Sequence, residues 1–244
     1  MTNKGNTTTA KRRPSQLRPI KITRGFTDTA AGSVLIEMGR TRVLCTASFE
    51  DWVPKWRQDS GLGWVTAEYS MLPGSTNPRK PRPRSGHTDG RGTEIQRIVG
   101  RVLRSVVDFE KLGPNTINLD CDVLQADGGT RTAAINGSYV ALVDAVRYGM
   151  KQDLVKENPI TAAVAAVSTG LIKGKAVLDL DYQWDSQAQV DMNVAMTEKG
   201  EYVEIQGTGE QGTFSGEQLE KLLKLAQKGI KEILVIQKKS LKLK

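Results

Sequence analysis

The chain is poor in the residues that most often build metal centres and covalent catalysts. Its 244 residues include one histidine, His87, and two cysteines, Cys45 and Cys121. One histidine and two distant cysteines do not make a His/Cys zinc site. Both cysteines sit in strand-like apolar runs, which suits buried, reduced thiols in an intracellular protein. No apolar stretch is long enough to span a membrane, and the N-terminus lacks the hydrophobic segment of a signal peptide, so the cytoplasm is the expected compartment. A nucleophile elbow, a Walker loop and a dinucleotide fingerprint are also missing. Residues 1–27 hold no acid at all, while carrying Lys4, Lys11, Arg12, Arg13, Arg18, Lys21 and Arg24.

What is present is positive charge and a repeating rhythm of segments. The formal net charge of +8 fits a polyanionic partner or a soluble basic enzyme. Arg79, Lys80, Arg82, Arg84 and Arg91 crowd a segment that Pro78, Pro81 and Pro83 keep extended. Such a loop fits contact with a nucleic-acid backbone, or a solvated surface, and His87 falls within it. Residues 1–12, polar and Thr-rich, read as a disordered leader. Residues 13–244 read as a single domain of two similar halves, with a break near 150–160 where Asn158-Pro159 interrupts the pattern.

Residues 33–38 and 41–48, with Gly39 between them, predict a hairpin. A long loop rich in Pro, Arg and Gly is expected over 72–92. Ile95, Ile98, Val99, Val102, Leu103 and Val106 then recur at helical spacing, with Arg97, Arg101 and Arg104 on another face. The second half predicts strands near 162–170, 175–182, 190–197 and 201–206, a helix over 216–228 and a short amphipathic helix over 230–243. Strands first, then helices, twice over, imply an α+β class with mixed sheets covered by helices.

The run Asp120-Cys121-Asp122-Val123-Leu124-Gln125-Ala126-Asp127-Gly128-Gly129-Thr130-Arg131-Thr132 carries the most information. Ile117, Leu119, Cys121 and Val123 alternate with Asn118, Asp120 and Asp122, the period of a half-buried strand. Gly128 and Gly129 permit a tight turn, and Thr130 is the expected cap of a buried helix that includes Ala133, Ala134, Val140, Ala141, Leu142, Ala145 and Val146. The turn either connects two elements and nothing more, or its free amides and the Arg131 guanidinium receive a phosphate.

Two carboxylates complete the set. In the strand around Val190, Met192, Val194 and Met196 the acid Asp191 shares the opposite face with Asn193, and Asp185 precedes it in a turn, close enough to converge. Two carboxylates with little else suit Mg²⁺, which takes oxygen ligands and keeps several waters. Asp179 and Asp181 are expected to be structural. Arginines, backbone amides, carboxylates and a metal are poor equipment for covalent catalysis and suit phosphoryl transfer, where positioning and charge neutralisation dominate.

Gly63-Trp64-Val65-Thr66-Ala67-Glu68-Tyr69-Ser70-Met71-Leu72-Pro73, Glu94-Ile95-Gln96-Arg97, the run 120–132, Asp191-Met192-Asn193-Val194 and Gln206-Gly207-Thr208 together resemble the bacterial ribonuclease PH family. The motifs stand in family order, and the resemblance covers nearly everything from Leu17 onward. It implies a fold with ribosomal-protein-S5-domain-2-like βαβ units and a homo-hexamer built as a trimer of dimers. It also implies a phosphate-dependent 3′→5′ exoribonuclease that trims tRNA precursors, releases nucleoside diphosphates and runs in reverse as a nucleotidyltransferase.

Carried over to these positions, the resemblance puts the phosphate site on Arg91, Gly129, Thr130 and Arg131, with inorganic phosphate as co-substrate. It puts the catalytic acids and the ligands for Mg²⁺ or Mn²⁺ on Asp185 and Asp191; Asp191 is either a metal ligand or a general acid. RNA contact is expected from Arg79, Arg82, Arg84 and Arg97. Three departures stand out: no Asp-Gly pair near Arg12-Arg13-Pro14, Trp184 where the family commonly has Glu, and Gly92 where Thr is usual. The rival readings are an inactive ring subunit, a hydrolytic nuclease and a basic RNA-binding module. Intact Arg91, Arg131, Asp185 and Asp191 argue against the first.

Overall fold

A computed structural model describes residues 12–82 and 89–243. In the first half, β1 (Ile20–Arg24), β2 (Gly32–Met38), β3 (Thr41–Glu50), β4 (Trp64–Met71) and β5 (Thr116–Gln125) form one sheet in the order β1-β2-β3-β5-β4. The expected hairpin is β2–β3, with Met38 opposite Thr41. β5 runs antiparallel to β3 and parallel to β4. Its alternation holds: Ile117, Leu119, Cys121 and Val123 are buried, while Asn118, Asp120 and Asp122 lie half-buried on the other face. Burial pushes the Asp120 and Asp122 carboxyls up, and for Asp120 the neighbouring Glu68 and Asp122 add to it.

The second sheet contains β6 (Val164–Ile172), β7 (Lys175–Leu178), β8 (Val190–Thr197) and β9 (Tyr202–Thr208) in the order β7-β6-β8-β9. The described residues also hold five α-helices, α1 (Gly90–Arg104), α2 (Phe109–Leu112), α3 (Thr130–Lys151), α4 (Tyr182–Asp185) and α5 (Gly216–Leu241), and two short 3-10 helices, Lys55–Ser60 and Pro73–Ser75. The α+β class with sheets flanked by helices is therefore as expected. α3 is buried on nearly every side because it packs on β2, β3 and β5 and also on β6.

A helix between two sheets must satisfy any polar group it carries, and α3 uses one to join the halves. Asn136, fully buried, donates from Nδ2 to the Ala166 carbonyl and accepts from the Ala166 N–H, each at 2.8 Å. β7 pairs only with residues 169–172 of β6, so Asn136 takes the place of a missing strand neighbour at Ala166. Gln237 on α5 extends the same service, donating to the Val164 carbonyl at 3.3 Å.

Three expectations change. The two helices read over 216–228 and 230–243 are one continuous helix, α5. Gly229 does not break it; a side chain there would meet Leu178 Cδ1 at 2.8 Å, so the glycine admits close packing of helix on sheet. The strand read over 175–182 stops at Leu178, where Asp179 turns with a φ of 55° before α4 begins. The loop over 72–92 is shorter than expected, because α1 already starts at Gly90. The leader falls, apart from Arg12, outside the described residues.

Candidate active site

β5 delivers the chain to Asp127-Gly128-Gly129, where Gly128 and Gly129 have φ of 76° and 65°. A Cβ on Gly128 would stand 2.6 Å from the Asp181 carbonyl carbon and 2.7 Å from the Leu180 oxygen, so backbone touches backbone here. The carbonyls of the turn are held from behind. Arg18 Nη1 donates to the Asp127 oxygen at 2.8 Å, Thr41 Oγ1 to the Gly128 oxygen at 2.6 Å, and the Tyr182 N–H to the Asp127 oxygen at 3.1 Å.

α3 begins with Gly129 as its cap and no capping side chain. Thr130 is thus the first helical residue and not the cap, because its hydroxyl is taken by Tyr69, whose Oη donates to Thr130 Oγ1 at 2.8 Å. The first intrahelical bond runs from the Ala133 N–H to the Gly129 oxygen, leaving the preceding amides at the positive end of a long helix.

Arg131 stands in the first turn of α3 with its side chain 16% exposed. Its Nη1 donates to Gln206 Oε1 on β9 at 2.6 Å, while Nη2 lies 3.5 Å from Glu94 Oε1 on α1. Gln206 Nε2 in turn donates to the same Glu94 oxygen at 2.7 Å. The Arg131 Nε is buried and has no hydrogen-bond partner among the described residues. A buried guanidinium N–H without an acceptor is costly.

The carboxylates reach the same space from the second half. Asp181 caps α4 by accepting from the Trp184 N–H at 2.9 Å, which fixes the turn that presents Asp185. β8 presents Asp191, opposite Gly170 of β6 and Thr208 of β9. Burial pushes both carboxyls up, and Glu210 pushes each further; Arg91 and Arg131 pull Asp185 back in part, and Arg131 does so for Asp191. A cation between them would relieve that strain, and an oxygen-only donor set suits Mg²⁺ or Mn²⁺. Among the described residues no group of three or more His, Cys, Asp and Glu side chains is placed to hold a metal. Two carboxylates would therefore share the ion with water or substrate oxygens.

Arg91, Gly129, Thr130, Arg131, Asp185 and Asp191 all line one cavity of about 270 Å³. Arg97 lines a neighbouring groove of about 620 Å³ between α1 and β9, with Arg101; Glu94 and Gln206 form the wall between groove and cavity. Arg101 is ion-paired to Glu204 at 3.3 Å, and Arg104 lies over the Trp64 ring and donates to the Val65 carbonyl. Arg79 and Arg82 are exposed and do not line the cavity. Arg84 and His87 lie outside the described residues.

Glu94, Gln206, Glu210 and Arg18 belong to this site or support it, yet had no role assigned from sequence. Glu94 stands three residues after Arg91, one helical turn on, which was a usable signal. Trp184 lies under the Arg12 guanidinium at 4.2 Å from the ring centroid.

Residues 16–147 match the 3′ exoribonuclease family, domain 1, and residues 162–229 match its domain 2. Ribonuclease PH of Corynebacterium kroppenstedtii is 59% identical over 227 residues, spanning 93% of this chain and 89% of that protein. Ribonuclease PH of Corynebacterium efficiens is 57% identical, spanning 94% of each. Among solved structures, the Archaeoglobus fulgidus exosome with RNA bound to its active site superposes with a TM-score of 0.78 at 18% identity, covering 91% of this chain and 89% of that one. Rice Rrp46 does so with 0.77 at 19% identity, covering 95% and 98%. At such identities these likenesses speak for the fold.

The glycine turn makes a direct prediction. Gly128→Ala forces a methyl group against the 180–182 backbone and a side chain into positive φ, so thermal melts should show a lower Tm and a weakened stabilisation by added inorganic phosphate. An alanine variant whose melting responds to phosphate like the parent would uncouple the turn from anion binding.

Proposed function

The chain belongs to the 3′ exoribonuclease family, among the bacterial ribonucleases PH, and on that premise we propose where on it the reaction runs. The activity is phosphate-dependent 3′→5′ trimming of RNA in tRNA processing, with nucleotide addition as its reverse. The observation that carries the assignment is the Arg131 guanidinium beside an uncapped helix start, lining one cavity with Arg91.

Inorganic phosphate lies between Arg91 and the Gly129-Thr130-Arg131 turn. One of its oxygens attacks the terminal phosphodiester; the P–O3′ bond breaks and O3′ departs with a proton. The products are a nucleoside diphosphate and an RNA one residue shorter. Two guanidiniums and the helix amides offset the repulsion between two anionic phosphates, which is steep in a partly dry site. Asp185 and Asp191 would hold Mg²⁺ or Mn²⁺, which when bound supplies neutralisation of charge on the transferring group. A second reading of Asp191, as general acid toward O3′, is favoured by its raised carboxyl. Arg97 and the groove beside the cavity suit the RNA backbone, and the basic sequence segment of Arg79, Arg82 and Arg84 suits the same partner.

Assembly as a homo-hexamer, a trimer of dimers, belongs to the same proposal. Trp52, Trp56 and Val235 are 53%, 65% and 66% exposed, and burial against other copies would remove that apolar surface from water. A cytoplasmic location fits the two unpaired buried cysteines, and among the described residues no helix is long and apolar enough to cross a membrane. The two halves are proposed to work as one domain from residue 13, a view that the shared core around α3 supports.

Purified protein incubated with a 3′-extended tRNA should release nucleoside diphosphates only when phosphate is present. Arg131→Ala should slow this by about one to two decades, the worth of a charged hydrogen bond of roughly 1.5–3 kcal/mol. Products formed equally without phosphate would favour the hydrolytic rival, and no products at all the inactive ring subunit. Asp191→Asn should abolish activity and weaken Mn²⁺ binding measured by electron paramagnetic resonance; unchanged Mn²⁺ binding with lost activity would favour the general-acid reading. Light scattering should give six times the chain mass, and a monomer mass would remove the hexamer.

A further inference from the structure

The link between Arg131 and Glu94 rests on one neutral side chain. A guanidinium only donates and an ionised carboxylate only accepts, and Gln206 presents its oxygen to the first and its NH₂ to the second. Few side chains can do both. A carboxylate at this position would repel Glu94, an amine would repel Arg131, and an apolar group would break both contacts. Glu94 is also a competitor of the anion. Its Oε1 already lies 3.5 Å from Arg131 Nη2, close to a direct charged hydrogen bond.

We propose that Gln206 is the positioning residue of the phosphate site: its amide, bonded to both groups, keeps the Arg131 guanidinium from closing onto Glu94 and so holds it where the bound anion meets it. The inference rests on the phosphate reading given above. Gln206 is placed for this by β8–β9 pairing opposite Asn193, which lines the same cavity, so the second sheet sets the orientation of an arginine that belongs to the first half. Without Gln206, Arg131 swings onto Glu94 and the guanidinium leaves the place where phosphate would meet it.

The test is steady-state phosphorolysis with phosphate and RNA varied separately, on wild type, Gln206→Met, Gln206→Met/Glu94→Gln and Arg131→Ala. Gln206→Met should raise the KM for phosphate by about ten- to a hundred-fold, with kcat and the KM for RNA within about three-fold. Adding Glu94→Gln removes the competing carboxylate and should recover most of that loss, which a merely structural role would not produce. Phosphate-induced stabilisation in thermal melts should shift to higher phosphate concentration by the same factor. If Gln206→Met melts below the assay temperature, Gln206→Ser, too short to reach either partner, takes its place and should show the same rise.

An unchanged phosphate KM in the Gln206 variants, with Arg131→Ala impaired, overturns the inference and leaves the phosphate site standing. An unchanged phosphate KM in Arg131→Ala as well removes the site assignment itself. A higher KM for RNA alone would assign Gln206 to the neighbouring groove and also overturn the inference.

Discussion

The buried pair of Arg18 and Asp179 is the constraint on which the site depends. Asp179 is fully buried and Arg18 only 5% exposed. The carboxylate accepts from the Arg18 backbone N–H at 2.8 Å, from Nε at 3.0 Å and from Nη2 at 2.6 Å. The remaining guanidinium nitrogen reaches the Asp127 and Gly128 carbonyls. One ion pair thereby joins the N-terminal segment, the glycine turn and the turn leading to α4. Burying two charges costs several kcal/mol before their attraction is counted, so such a pair is weak evidence for stability. What it supplies here is geometry, since the charges are satisfied in a single arrangement, and that arrangement brings the glycine turn and Asp185 to the same cavity. Arg12, ion-paired to Asp179 and Asp181 and stacked on Trp184, tightens the same corner.

Around that anchor, the site sets opposite charges against each other without letting them cancel. Arg91 and Arg131 face Asp185, Asp191 and Glu210 across one cavity. Direct pairing of arginine with aspartate would leave nothing for an anion or a cation to bind. The fold prevents it by holding the groups on different frames, with α1 and α3 carrying the arginines and α4 and β8 the acids. Neutral Gln206 bridges Arg131 and Glu94, whose charged atoms stay 3.5 Å apart. The price is visible in the carboxyls, which burial and like charge push up. A cation and a phosphate entering together would relieve both halves of that imbalance.

Much of this was legible in the sequence, and the reasons are local. β5 announced itself by strict alternation, α1 by helical spacing, and the glycine turn by residue types that little else in a chain requires. The six positions proposed for phosphate and metal came from motifs in family order, and all six line one cavity. The misreadings are local too. Thr130 has the chemistry of a cap, yet Tyr69, sixty-one residues earlier, takes its hydroxyl. Gly229 has the chemistry of a helix break, yet Leu178 fills the space that a side chain would occupy. In both places a contact distant in sequence outweighed a local propensity.

The sequence by itself determined which groups this protein possesses: a basic surface, a glycine turn ahead of a buried helix, paired acids near one strand, and hardly any histidine or cysteine. These follow from residue identity and short-range periodicity, which need no knowledge of what lies across the core. Only the tertiary structure decided which of those groups meet. Arg131 and Gln206 are seventy-five residues apart, and Arg18 and Asp179 one hundred and sixty-one. Such contacts depend on how two sheets close around α3, and the orientation of a hydrogen-bonding amide at that closure is set by its partners, not by its neighbours in the chain.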